Sequence, residues 1–238
     1  MAYDFTLDMD RNGMLSLTEK NVQLISSILR VDPRYRDAFR GAEGSVQQLF
    51  RIYGLTQDYR ELTKIVIAIC SVPSYFYTAD VVARIVDVIS GIEDLESSLR
   101  RGESSLVKEI AIAAVPGRYY IDFASKFCAY ACAYVLGEDN YIIYDTVMGD
   151  VLPYYAYYHL KETYMHRVKS VWPALIMEED GYDYCRGLIN RIIDDVAEKS
   201  GYTMTFLEFY NTLWYYYQGN GRERRRMIAE KVREIRGE

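Results

Sequence analysis

From residue 20 onward, apolar residues recur three and four positions apart, the spacing that places them on one stripe of a helix. This periodicity predicts helices near 18–30, 34–40, 45–53, 57–70, 77–91, 93–100, 104–114, 121–136, 145–159, 161–170, 181–199, 205–217 and 222–236. Glycine and proline punctuate the series at Asp32-Pro33, Gly54, Val72-Pro73, Gly91, Pro116-Gly117, Gly137, Pro153, Pro173 and Gly201. Pro153 falls inside a helical stretch and predicts a kink or a stop, because its ring crowds the carbonyl four residues back. No internal repeat or low-complexity tract interrupts the pattern. The expected fold is therefore all-α, mostly helical, in one domain over residues 1–238: an N-terminal segment 1–19, a helical body 20–221 with a cleft, and a basic C-terminal helix 222–238.

The N-terminal segment has a different period. Phe5, Leu7 and Met9 alternate with polar residues, Asn12-Gly13 supplies a tight turn, and Leu15 and Leu17 resume the alternation, which predicts a small β-hairpin. The same letters fit a calcium loop, with Asp8, Asp10, Asn12 and Glu19 at its first, third, fifth and twelfth positions. Only seven residues precede that loop, too few for a good entering helix, and no second loop stands ready to pair with it. The hairpin is the preferred reading, and calcium binding stays open beside it.

Composition narrows the classes of function. Half of the 238 residues are apolar, enough for a substantial core. Met1-Ala2-Tyr3-Asp4-Phe5 has no signal-peptide character, and Arg118, Asp122 and Lys126 break the later apolar runs, so a soluble intracellular protein without a membrane partner is expected. Cys70, Cys128, Cys132 and Cys185 are too scattered for a disulfide scaffold or an iron–sulfur cluster. Two histidines, His159 and His166, offer few ligands for a transition metal, and no metal site is expected.

A net charge of −6 argues against wholesale wrapping of nucleic acid. Residues 222–236 depart from that average: seven basic groups stand against three acidic ones. This stretch reads either as a solvated terminal helix or as a grip on DNA.

Candidate chemistry lies in the middle of the chain. Ala124, Cys128, Ala131 and Val135 form a stripe of modest side chains that would let a neighbouring helix approach closely, and Lys126 sits within this otherwise apolar helix. Low-dielectric surroundings disfavour a charged amine, and a neutral amine is a nucleophile. Nineteen residues later Asp145 follows the extended run Tyr141-Ile142-Ile143-Tyr144 and precedes a helical stretch, the place of an N-cap carboxylate. A helix and a short return would bring both groups to one cleft. Taken alone, Lys126 could equally pair with Asp122 one turn earlier, and Asp145 could simply cap a helix.

The string Phe123-Ala124-Ser125-Lys126-Phe127-Cys128, followed by Ile143-Tyr144-Asp145-Thr146, resembles the catalytic core of helix-hairpin-helix DNA glycosylases, in particular those similar to 8-oxoguanine DNA glycosylases. The likeness is specific over residues 118–155 and looser over 60–217, where it takes in Ser74-Tyr75-Phe76-Tyr77-Thr78-Ala79 and the Phe209–Tyr217 stretch. It implies a two-lobed helical fold and excision of an oxidised purine from damaged double-stranded DNA, with Lys126 as nucleophile and Asp145 as its carboxylate partner. It further implies DNA or base contacts at Tyr77, Thr78, Tyr144 and Thr146, no cofactor, no obligatory protein partner and a cytoplasmic, nucleoid-associated location. Of the family's glycine-rich hairpin only Val115-Pro116-Gly117 is present, and the proline usual before the aspartate is replaced. Those departures motivate the alternative of a non-catalytic DNA-binding or interaction protein on the same scaffold.

The remaining aromatic residues read mainly as core. Most of the twenty-four tyrosines are expected to bury the ring and leave the hydroxyl wet, and Trp172 and Trp214 are assigned to packing.

Overall fold

A computed structural model describes residues 6–31, 41–71, 77–112, 118–162, 181–218 and 222–237. Within them the fold is all-α, with eleven α-helices. In chain order these are α1 Glu19–Val31, α2 Gly41–Tyr53, α3 Tyr59–Cys70, α4 Ala79–Ser90, α5 Leu95–Arg101, α6 Ser104–Ile112, α7 Ile121–Ala131, α8 Thr146–Leu160, α9 Gly181–Ser200, α10 Phe206–Gln218 and α11 Arg222–Arg236. The periodic signal locates each of them closely, except that α2 begins four residues before its expected start. The helix expected at 34–40, nearly all of that expected at 161–170, Pro116-Gly117 and Trp172 lie outside the described residues.

Three expectations change. The N-terminal alternation yields one antiparallel bridge, Met9 to Leu15, and no strand among the described residues. Met14, Leu15 and Leu17 are all buried, so the segment does not present the two opposed faces that a ladder requires. Its turn is held instead by the Asp10 carboxylate, which accepts from the backbone N–H groups of Asn12 and Met14. Asn21 bonds the edges on both sides through Asp8 and Ser16. Second, Pro153 does not end α8, which continues to Leu160 with the proline buried. Third, the α7 stretch widens into a π-helical turn at Cys132–Leu136 before Gly137 closes it in the left-handed conformation, φ 69°.

The oxygens of the calcium-loop pattern do not converge. Asp8 is bonded to Lys20 at 2.6 Å, Asp10 holds the turn and accepts the Tyr154 hydroxyl, and Glu19 accepts from Gln23. No group of three or more His, Cys, Asp or Glu side chains among the described residues is arranged to hold a metal ion.

The chain divides into two compact units. One comprises Met1–Ile28, Thr146–Ser170 and Gly187–Glu238. Its core gathers α8, α10 and α11. Buried tyrosines there bond inward: the Tyr155 hydroxyl meets the Leu15 carbonyl at 2.7 Å and the Tyr217 hydroxyl at 3.0 Å. His159 Nδ1 lies 2.7 Å from Asp195, whose carboxylate also takes Lys199. Burial pushes the His159 imidazole down, and hydrogen bonds from Lys199 and His159 overcome burial to hold Asp195 below its usual range. At neutral pH a neutral imidazole therefore donates Nδ1–H to an ionised carboxylate.

The other unit comprises Leu29–Asp145 and Val171–Arg186. Here α7 is the centre: all eleven of its residues are buried, and α2, α3 and α6 pack against it. Ala124, Ser125, Cys128, Ala129 and Ala131 leave room for that close approach on several sides. Burial pushes the Cys128 and Cys132 thiols up, which suits inert core residues. No helix among the described residues is long and apolar enough to cross a membrane.

Candidate active site

The site forms where α7 faces the extended segment 138–145. That segment carries no helix or strand bonding of its own, so its backbone groups must find partners elsewhere. A buried tyrosine and an arginine provide them. The Tyr182 hydroxyl donates to Ile142 O at 2.7 Å, while the segment's own Tyr141 side chain anchors it to α5 by donating to Ser98 O at 2.8 Å. Arg186 donates to the carbonyls of Asn140 and Gly102, tying the segment to the end of α5. Gly102 is required at that junction: it has φ 64°, and a Cβ would stand 2.9 Å from Arg186 Nη1.

The tie closest to the chemistry is Ser125, which is fully buried on α7. Its Oγ accepts the Tyr144 N–H at 3.0 Å. The same hydroxyl has Tyr144 O and Asp122 O as acceptors, each at 3.3 Å. The residue before Lys126 is thus bound to the residue before Asp145. The next residues on each side follow: Lys126 Nζ stands 3.9 Å from Asp145 Oδ2, an ion pair too long for a direct hydrogen bond. Lys126 is 3% exposed and Asp145 8%. Asp145 immediately precedes α8, whose first-turn N–H groups favour a negative charge at that end.

A second carboxylate flanks the amine. Asp122 lies one helical turn before Lys126, on the same face, and is also only 8% exposed. Burial pushes its carboxyl up, against the opposing pull of Lys126. The Tyr77 hydroxyl stands 3.4 and 3.5 Å from its two oxygens. Cys70, at the end of α3, feels both Asp122 and Lys126, and burial drives its thiol up to about 12.

An acid whose folded-state pKa is raised stabilises the fold below its unfolded value and loses that contribution as pH rises through the folded value. Asp122→Asn is therefore expected to raise the melting temperature at pH 7.5, with the gain fading as the pH falls below about 4, the ordinary aspartate value. A melting series across that range checks it, and a gain that is largest in acid would contradict the assignment.

The other residues nominated from sequence are placed as follows. Tyr77 is half-buried, with its ring edge-on to Tyr120 at 5.2 Å and to Phe123 at 6.3 Å, and its hydroxyl turned to Asp122. Thr78 is exposed at the start of α4 and makes no side-chain cap bond. Tyr144 is buried at 3% exposure, and its backbone makes the bond to Ser125. Thr146 is exposed as the first residue of α8. Residues 72–76 and 113–117, which hold the remaining motif positions, lie outside the described residues. Sequence reasoning weighed Asp122 only as a surface partner and assigned Ser125 no part. A small hydroxyl residue within an apolar helix, next to the nominated lysine, was the available signal.

Comparison of the chain with protein-family models, with curated proteins and with solved structures finds no match.

Proposed function

We propose that the chain is a DNA glycosylase with lyase activity, excising an oxidised purine such as 8-oxoguanine from damaged duplex DNA. One observation carries this reading: a buried amine and a buried carboxylate 3.9 Å apart, on two elements that a serine clamps together. An ordinary surface pair would need neither the burial nor the clamp.

In the proposed reaction the damaged nucleotide is turned out of the stack so that its sugar meets Lys126. Lys126 first gives up a proton, which the Asp145 carboxylate, 3.9 Å away, takes. The amine nitrogen then bonds to the sugar C1′ while the bond from C1′ to the base breaks, and the base leaves with that electron pair and takes up the proton that Asp145 accepted. The Asp145 carboxylate faces the positive charge that builds on the sugar. The attached nitrogen, now carrying two protons, gives up one while the C1′–O4′ bond breaks and O4′ takes up a proton, which leaves the protonated Schiff base. Abstraction of a proton from C2′ then expels the 3′ phosphate.

Borohydride trapping on a duplex carrying 8-oxoguanine tests the reading, since hydride fixes the Schiff base as a stable amine. A covalent adduct on Lys126, mapped by peptide mass, is the expected result. No adduct from the wild-type chain across a panel of oxidised purines would remove the mechanism. The incomplete hairpin motif favours one other reading, a DNA-binding protein without chemistry. Salt-dependent duplex binding with no base release at all would select it.

A further inference from the structure

The C-terminal helix α11 has a charge arrangement that the site chemistry does not use. Arg222, Arg225, Arg226, Arg233 and Arg236 fall at i, i+3, i+4, i+11 and i+14, a register that lines them along one face, with Ala229 the only break. Glu223, Glu230 and Glu234 fall on an adjacent face. Ile228 and Val232, fully or almost fully buried, fix the helix against α8 and α10. The helix is thus anchored by one face, and the arginine row follows a different one.

Within the row, Arg226 and Arg233 are exposed and Arg225 is half-buried. Arg226 is 72% exposed, and its one acidic contact among the described residues, Glu230 at 3.5 Å, is itself half exposed. Arg233 is exposed, and among the described residues its one bond is to the Ala229 carbonyl, at 3.4 Å. Arg225 has no ion-pair partner among the described residues. Arg224 shows the contrast. It lies off the row, stacks 3.9 Å over the Tyr216 ring and donates to the Tyr216 carbonyl, so its work is structural.

We infer that this arginine row is a docking edge for the phosphate backbone of duplex DNA, bound without regard to base sequence. The choice of DNA rests on the glycosylase reading, while the chemistry of the row is independent of it. From Arg222 to Arg236 the helix rises about 21 Å, and duplex DNA presents about twelve phosphates over that length. Guanidinium groups suit that target, because each fork of N–H donors matches two phosphate oxygens. A membrane surface fits less well: the apolar face of α11 is already buried, and Met227, its exposed large apolar residue, lies away from the row. The acidic row would repel phosphate and so turns the arginine edge toward it.

The test is salt-dependent anisotropy of a labelled, lesion-free duplex with the full chain. Each lost phosphate contact lowers the slope of log affinity against log salt by about 0.9. Combined Arg225→Gln, Arg226→Gln and Arg233→Gln is expected to lower that slope by about two to three, with the melting temperature unchanged. Glu223→Gln, Glu230→Gln and Glu234→Gln together should tighten binding without disturbing the core. An unchanged slope overturns the inference. So does a loss confined to RNA, to an acidic peptide or to anionic vesicles. Lys126→Gln should leave the slope as it is, which separates the two proposals. Row-dependent duplex binding without lesion capture defeats the glycosylase reading alone, and normal capture with an unchanged slope defeats this inference alone.

Discussion

Lys126→Gln is expected to abolish borohydride-trapped adduct and to slow base release by about a thousandfold or more, the scale seen when a covalent nucleophile is removed. Glutamine keeps much of the stem and a polar end, but its amide nitrogen is not nucleophilic. The same change leaves the buried Asp145 carboxylate without its ion-pair partner at 3.9 Å. Removing one member of a buried pair is destabilising, roughly 3–5 kcal/mol where the charge left behind stays dry. Activity must therefore be compared at a temperature where circular dichroism shows both proteins folded. Lys126→Gln with Asp145→Asn separates the two effects. The double variant should recover part of the lost stability, because neither charge is stranded, while remaining as inactive as the single lysine variant. Base release by Lys126→Gln at the wild-type rate would end the nucleophile assignment, whatever the melting data show.

How much of this was legible in the sequence depended on how local the cause was. The helices were legible because burial of one stripe imposes its period on the residues themselves, as in α9, expected at 181–199 and found at Gly181–Ser200. The N-terminal alternation misled because consecutive Met14 and Leu15 are both buried, a demand made by the surrounding core and not by the segment. A kink or a stop was expected at Pro153 because the crowding of its ring against the carbonyl four residues back is local, and no stop occurs because the contacts of α8 with α10 and α11 are not local. The fully buried tyrosines depart from the expected wet hydroxyl for a similar reason. Tyr182 reaches a carbonyl 40 positions away and Tyr155 one 140 positions away, and no spacing rule registers such partners. In the candidate site, the nomination of Lys126 and Asp145 could be made from residue type and context. Their separation could not, since it is set by Ser125 and by the tyrosines that hold the 138–145 segment straight.

Ser125→Ala is the sharper test of that last point, because it touches neither reacting group. The substitution removes the acceptor of the Tyr144 N–H in a position with no exposure to solvent. A buried donor left unmade costs roughly 1–3 kcal/mol, which in a chain of this size lowers the melting temperature by several degrees. Two further contacts, to the carbonyls of Asp122 and Tyr144, go with it. The extended segment then loses the Ser125 clamp from α7 beside the Lys126–Asp145 pair. An error of about 1 Å in the placement of reacting groups can reduce a rate a hundredfold. Slower adduct formation on this order is expected, with duplex affinity close to wild type, because Lys126 and the arginine row are both unchanged. A structural role alone would lower stability and leave the rate per folded molecule unchanged. A positioning role lowers that rate at saturating DNA, at a temperature where the variant is fully folded. An unaltered melting temperature would show that the Ser125 hydroxyl does not bear the bond assigned to it, and the clamp would have to be sought elsewhere in the 138–145 segment.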